Sequence, residues 1–340
     1  MLRFSSLFDG TPAADIALDA LQEDMRAARL TWQYRFYYQL RPIIPRSLRR
    51  ILQQRRKVGI DSDCFIPSTF FQQLSEVSSE IPIGFSWPGD AKFAFVLTHD
   101  VETKDGLRWI SRLADLEEKL GFRSSWNFVP YKYKIDRGLV RDLRRRGFEI
   151  GIHGYNHDGK LFSSRRTFDR RAQWINRALE EYRAVGFRAP MMHRNLEWMQ
   201  DLNIQYDTSC ADIDPFQPMP GGVGSIWPFQ VGRFVELPYT LPQDHTLFIA
   251  HRLRDNKIWR RKLDFLIKHS GMALMATHPD YLDTEHRFGI YRDFLLHVQN
   301  RESYWHATPA AIADWWHKRK NSAVDGAQLS ARAAATRCCR

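Results

Sequence analysis

The sequence predicts an α/β fold in which a parallel sheet closes, or nearly closes, into a barrel. Three observations carry this reading. From about residue 91, short apolar runs alternate with segments whose apolar residues recur every three or four positions. The alternation repeats through seven or eight units, which favours a barrel over a small open sheet. Polar, titratable residues collect where the predicted strands end, the edge at which such barrels place their active sites.

Lys92 to Thr98 reads as a buried strand, and Leu107, Ile110, Leu113, Leu116 and Leu120 mark a helix with Gly121 beyond its end. Ser124 to Val129 is the next strand. Asp136 is the expected N-cap of a helix through Leu139, Val140 and Leu143 that stops at Gly147. Glu149 to His153 is a third strand, and Phe168, Ala172, Ile175, Leu179 and Tyr182 mark a long helix running toward Gly186. Phe187 to Ala189, Ile204 to Thr208, Phe234 to Leu237 and Met272 to Thr277 read as further strands, with helices over 254–269, 284–299 and 309–319. This barrel is expected to occupy 86–320. Residues 1–85 read as a helical, basic N-terminal extension, with prolines at 82 and 88 marking the connection, and 321–340 as a disordered tail.

Composition narrows the function classes. With 340 residues, 44% hydrophobic and 26% charged, the chain is not disordered throughout. Its longest purely apolar runs, Phe93 to Leu97 and Met272 to Ala276, fall far short of the roughly 20 residues a membrane-spanning helix needs. Asp9, Asp15 and Asp19 interrupt any apolar leader, so no signal peptide is expected. The four cysteines form no CxxC pair, which excludes a thiolate zinc cluster and a disulfide framework. A soluble, cytoplasmic protein is the expectation. The net charge of +11 is uneven: between Met25 and Ile60 there is no acidic residue, while basic residues from Arg26 to Lys57 are interleaved with Trp32, Tyr34, Phe36, Tyr37 and Tyr38. This segment reads as a solvated helical face packed on the main domain, or as a peripheral contact with the inner membrane surface. No nucleic-acid motif accompanies the charge, so no nucleic-acid partner is expected.

The strand ends carry the chemistry. The first reads T98-H99-D100-V101-E102, the third H153-G154-Y155-N156-H157, the fourth F187-R188-A189-P190, and the last apolar strand ends in T277-H278-P279-D280. Two histidines four apart with a carboxylate from another strand suit a catalytic divalent cation, leaving positions open for water and substrate. Asp100 and Glu102 are two apart, so on a strand they point to one side, and two converging carboxylates call for a cation. One can bind metal while the other serves as a base, with Arg188 holding it ionised. His278 is available as an acid, and either Asp207 or Asp280 could tune it.

The order and content of these motifs resemble the polysaccharide deacetylases, the NodB-homology or carbohydrate esterase family 4 enzymes. That family's T-F-D-D motif reads T98-H99-D100-V101-E102 here, as in D-V-E branches. Its H-[ST]-x-x-H motif reads H153-G154-Y155-N156-H157, and its arginine near proline R188-A189-P190. Its hydrophobic run into histidine reads L274-M275-A276-T277-H278, and D207-T208-S209-C210 has cysteine where tryptophan is common. The match covers about 92–310. The resemblance implies a distorted (β/α)7-8 barrel and a metal-dependent hydrolase that removes an acetyl group from an N-acetylated or O-acetylated sugar or polysaccharide. It implies Asp100 as base, Arg188 orienting it, His278 as acid, and Glu102, His153 and His157 as ligands to a divalent metal, with zinc expected. The partner would be a glycan or amino sugar. Two other classes share these residues: a catalytically silent carbohydrate-binding or membrane-associated protein on the same fold, and a non-haem iron oxygenase, whose triad is also two histidines and one carboxylate.

Overall fold

A computed structural model of the chain describes residues 87–212 and 225–319, together with Phe36, Gln39, Leu40, Ile44 and Pro45. Apart from those five residues, the expected N-terminal extension with its membrane-contact segment lies outside the described residues, and so does the expected tail.

The sheet is organised around β1 (Phe93–Val101), buried at every position. A strand covered on both faces reads as a continuous apolar run, yet its side chains still alternate in what they meet. Phe93, Phe95 and Leu97 join the core beneath the helices, whereas Ala94 and Val96 join the cluster inside the barrel. The same alternation turns Asp100 inward and His99 outward.

After β1 come helix α1 (Ile110–Lys119), β2 (Ser124–Phe128), α2 (Arg137–Arg145), β3 (Glu149–His153), α3 (Arg165–Glu181), β4 (Gly186–Arg188) and β5 (Tyr206–Asp207). The hairpin of β6 (Phe229–Val231) and β7 (Phe234–Glu236) follows, then α4 (Lys257–Lys268), β8 (Met272–Thr277), α5 (Glu285–Gln299), β9 (Tyr304–His306) and a helix over 309–319. Among the described residues the strand order is β6-β7-β5-β4-β3-β2-β1-β8, with β9 beside the start of β1. Every pair is parallel except the β6–β7 hairpin. The sheet curls into a half-barrel whose seam is bridged by the segment after β7. Leu241 pairs with Met275 there, and the Thr240 hydroxyl donates to Met272 O and accepts from Leu274 N. A side chain thus replaces part of a missing strand ladder.

Local chemistry accounts for the helix starts. The Asp136 carboxylate accepts from Gly138 N, Ser164 caps α3 through Thr167 N, and Thr284 caps α5 through Arg287 N. Gly147, with φ +85°, ends α2 as expected. The expected helix from Leu107 begins with a 3₁₀ turn, Gly106–Trp109, and the strand expected over Ile204 to Thr208 is ladder-paired only at Tyr206 and Asp207. The three-residue strands β6 and β9 are additions to the strands the sequence predicts. No described helix is long and apolar enough to cross a membrane.

Candidate metal centre and active site

The C-terminal ends of β1, β3, β4 and β8 converge on one buried cluster. Asp100 sits opposite Asn127 in the β1–β2 register. Asn127 Nδ2 donates to Asp100 Oδ1 at 2.9 Å, and Arg188 Nη1 donates to the same oxygen at 3.2 Å. Arg188 is itself fully buried and is held by Nε, which donates to both the carbonyl and the hydroxyl of Thr208 at 3.0 Å. With Oδ1 anchored twice, Asp100 Oδ2 is left buried without a hydrogen bond. Burial works against charge on Asp100, but Arg188, followed by His153 and His278, holds its carboxyl below the usual range. Gly151 makes room for this arrangement, since a Cβ there would lie 2.1 Å from Asn127 Oδ1.

Glu102, His153 and His157 each offer one ligand atom, and these atoms lie within 4.8 Å of one another. His153 Nδ1 faces the Arg188 carbonyl at 3.1 Å, a contact in which Nδ1 donates and Nε2 is turned to the centre. Gly154, with φ +66°, turns the chain immediately after His153, where a Cβ would strike the Pro190 ring. His157 follows with the uncommon φ of +59°, a left-handed backbone that brings its ring back to 5.0 Å from that of His153. Its Nε2 lies 2.8 Å from Glu102 Oε1. Burial lowers the His157 pKa and favours the neutral, ligating form. Partial burial opposes charge on Glu102, yet His157 keeps its carboxyl well below the ordinary value.

These residues fit a divalent cation. The set is one hard oxygen and two imidazole nitrogens. The donor atoms are gathered in one buried place, His153 Nε2 without a hydrogen bond and His157 Nε2 against the Glu102 carboxylate at 2.8 Å, and a cation among them would satisfy all three. Three protein donors also leave coordination positions for water and substrate.

Across the centre stands His278. Its Nδ1 lies 2.7 Å from Asp244 Oδ1, and its backbone N–H donates to Asp244 Oδ2 at 2.7 Å. The ring is thereby held with Nε2 facing the cluster, 3.9 Å from Asp100 Oδ2 and 3.7 Å from Glu102 Oε1. Burial alone would lower the pKa of His278. The Asp244 carboxylate, then Glu102 and Asp100, reverse this and push it up to about 10.

No family model matches the chain. Among solved structures, a protein from Mycobacterium smegmatis described as a polysaccharide deacetylase aligns with a TM-score of 0.59 at 20% identity, over 69% of this chain and 94% of its own. A protein from Pseudomonas aeruginosa PAO1 with the same description aligns with a TM-score of 0.54 at 16% identity, over 68% and 93%. The chain has the polysaccharide deacetylase fold. Puue allantoinase shares it, with a TM-score of 0.53 at 15% identity, over 68% of this chain and 92% of its own. A polysaccharide deacetylase fold therefore carries proteins of more than one description, and what this chain does has to be read from its site.

All six residues singled out from the sequence meet within that fold: Asp100, Glu102, His153, His157, Arg188 and His278. The partner expected for His278 is corrected. Asp207 is engaged by the N–H and hydroxyl of Ser209, and Asp280 accepts from the Thr103 hydroxyl; the carboxylate on His278 is that of Asp244. The only sign of it in the sequence is a lone acid between the apolar residues Leu241 and Leu247. Asn127 was also missed, although an amide inside the strand S124-S125-W126-N127-F128 marks a position where burial requires a partner. Cys210, which stands where tryptophan is common, is buried in the core cluster that also holds Phe187 and Leu196.

Proposed function

We propose that the protein is a metal-dependent hydrolase that removes an acetyl group from an N-acetylated or O-acetylated sugar or polysaccharide. One observation carries the reading. The two groups that hydrolysis requires, an unprotonated carboxylate oxygen at Asp100 Oδ2 and a protonated imidazole at His278 Nε2, face each other 3.9 Å apart beside the Glu102–His153–His157 donor set.

Glu102, His153 and His157 would hold a divalent cation, zinc being the metal we expect, which when bound polarises an acyl carbonyl and acidifies water. Asp100 takes the proton of the attacking water at Oδ2, and its other oxygen is kept from rotating by Asn127 and Arg188. As the water oxygen bonds to the acyl carbon and the bond to the sugar nitrogen or oxygen breaks, His278 gives its Nε2 proton to the departing group. Acetate and a free amine or hydroxyl result. Asp244 holds the imidazole in the donating tautomer and supports its positive charge, the role a buried aspartate plays behind a catalytic histidine.

A non-haem iron oxygenase would use the same two histidines and carboxylate, but that chemistry has no task for Asp100, Arg188, Asp244 and His278. A silent carbohydrate-binding protein leaves the same four residues unaccounted for. We place the enzyme in the cytoplasm, in glycan or precursor synthesis, with the basic segment touching the membrane; fractionation unchanged by deletion of residues 1–60 would remove the membrane contact. The decisive experiment combines elemental analysis with acetate release from N-acetylated oligosaccharides, on wild type and on the His153→Ala, His157→Ala double variant. About one zinc per chain, lost with acetate release in the variant, supports the reading. Iron in place of zinc favours the oxygenase, and no metal after reconstitution favours the silent protein.

A further inference from the structure

Asp207 has no task in the proposed chemistry, since the carboxylate on His278 is that of Asp244. It is nonetheless fully buried, and beside it in the β5–β7 register lies a second fully buried carboxyl, Glu236. Tyr206 and Val235, one residue earlier on each strand, join the cluster inside the barrel, so Asp207 and Glu236 face outward, beneath the outer layer. Both carboxyls hold the backbone that follows β5. Asp207 Oδ1 accepts from the Ser209 hydroxyl at 2.7 Å and Oδ2 from Ser209 N at 3.0 Å, while Glu236 Oε1 accepts from Cys210 N at 2.9 Å. Glu236 Oε2 is buried with no N–H or hydroxyl on it, and the group within its hydrogen-bond reach is the Asp207 carboxyl.

Two ionised carboxylates converging in a buried place repel, so the pair calls for a proton or a cation between them. Among the described residues no third carboxylate, histidine or cysteine completes a metal-ligand set with them. Phe187 flanks Asp207 on β4 and Phe229 flanks Glu236 on β6. The charged group facing the pair is Arg194, whose Nη1 donates to the carbonyls of Met192 and Ser209, and the other titratable neighbour is the buried thiol of Cys210. Burial raises both carboxyls above their ordinary values, Glu236 well above because the Asp207 charge adds to the effect. One proton between Glu236 and Asp207 turns the repulsion into a hydrogen bond and leaves a single negative charge opposite Arg194. The segment held in this way is the mount of Arg188. The Thr208 carbonyl and hydroxyl accept from Arg188 Nε, and Ser209 Oγ accepts from Ala189 N at 2.7 Å. A continuous chain of contacts thus runs from Glu236 through Asp207, Ser209 and Thr208 to Arg188, and from there to Asp100.

We infer that Asp207 and Glu236 share one proton and are positioning residues, a clamp on Thr208 and Ser209 that seats Arg188 against Asp100. The inference rests on the hydrolase reading for the role of Asp100, but not for the pair itself. The test replaces the shared proton by a covalent donor: Glu236→Gln puts an amide N–H toward Asp207 and keeps an oxygen for Cys210 N. Its kcat for acetate release should stay within about twofold of wild type, whereas Glu236→Ala should lower kcat about tenfold with KM little changed, because Arg188 acts on the base. Ser209→Ala, which cuts the link to Ala189, should act in the same direction and serves where Glu236→Ala does not fold. Thermal unfolding reads the proton without reference to activity. A carboxyl whose folded pKa is raised costs the fold stability as pH climbs from its unfolded value, about 4.3, through the folded one. Glu236→Gln has no such proton to lose, so its Tm should match wild type near about pH 5 and exceed it by roughly 3 °C or more near about pH 9. A Tm difference that is the same at both pH values overturns the shared proton. So does a wild-type Tm that rises on adding calcium while Glu236→Gln fails to respond, which would put a cation in its place. Unchanged kcat in both Glu236→Ala and Ser209→Ala overturns the positioning role and leaves the hydrolase standing. Absence of acetate release from wild type overturns the hydrolase, and the Tm profile then decides the pair alone.

Discussion

Asp244 grips His278 twice, at the ring through Nδ1 and at the backbone through N–H, both at 2.7 Å. The two contacts fix the rotamer and the tautomer together, and the carboxylate is the leading contribution that lifts the His278 pKa to about 10 against its burial. An acid acts while protonated, so activity falls as pH rises through its pKa. Asp244→Asn lowers that pKa, and the alkaline limb of the pH–rate profile is therefore expected to move to lower pH. The loss of the imposed tautomer should reduce kcat by about 10²-fold or more. The profile of kcat against pH for wild type and Asp244→Asn checks both effects, and an alkaline limb that stays in place would rule out His278 as the acid.

Arg188 makes the converse contribution to Asp100. Arg188→Met leaves a buried carboxylate without its main cation, which raises the Asp100 pKa. A base acts while unprotonated, so activity falls as pH drops through its pKa, and the acid limb should move to higher pH. A decrease in kcat of about 10²-fold is expected near neutrality. Arg188→Lys should recover little, since an ammonium cannot reach Thr208 and Asp100 together as the guanidinium does. The same profile measured on Asn127→Leu should show a smaller shift in the same direction, because a neutral amide supports the Asp100 charge less than the Arg188 guanidinium does.

How much of this was legible in the sequence follows from the length scale of each signal. The helices and the strands β1, β2, β3 and β8 show a period over five or more residues, and their ends carry the six residues that meet in the site. Period two in β1 already placed Asp100 and Glu102 on one side. What escaped was set by tertiary contact. Asp244 lies just before a π-helical turn, His245–Ala250, that has no apolar period of its own, and its role depends on the seam bringing the segment after β7 against β8. Asn127 and Gly151 acquire meaning only when their strands lie side by side.

The metal site predicts its own dependence on Glu102. A cation that binds only the folded chain stabilises it by about 2.7 kcal/mol at a hundredfold excess over Kd. Chelation should lower the wild-type Tm by roughly 5 °C or more for a domain of this size. Glu102→Gln retains the shape but removes the anionic ligand, so its Tm should barely respond to chelator, whereas Glu102→Asp should respond to an intermediate degree. Differential scanning calorimetry with and without chelator separates the three. An equal response in wild type and Glu102→Gln would place the metal elsewhere.

Behind the site, on the outer face of β1, His99 and Glu117 form a fully buried pair that the proposed chemistry does not use. His99 Nε2 lies 2.6 Å from Glu117 Oε1, which also accepts from the Tyr291 hydroxyl at 2.7 Å, while Ser124 donates to Oε2 at 2.6 Å. His99 Nδ1 reaches the Thr277 hydroxyl at 2.8 Å, so the network links β1, β2, β8, α1 and α5 one residue away from both Asp100 and His278. Burial opposes the Glu117 charge, but His99, assisted by the two hydroxyls, holds its carboxyl below the ordinary range. A carboxyl whose folded pKa is depressed contributes stability that is present above its unfolded pKa, about 4.3, and is lost as pH falls through the folded value. Glu117→Gln should therefore cost about 3–5 kcal/mol at pH 7, the usual cost of breaking a buried pair. The difference from wild type should shrink as pH falls below about 4. Urea unfolding of both proteins at pH 7 and in that acid range measures it, and a difference independent of pH would mean that Glu117 is already neutral in the folded chain.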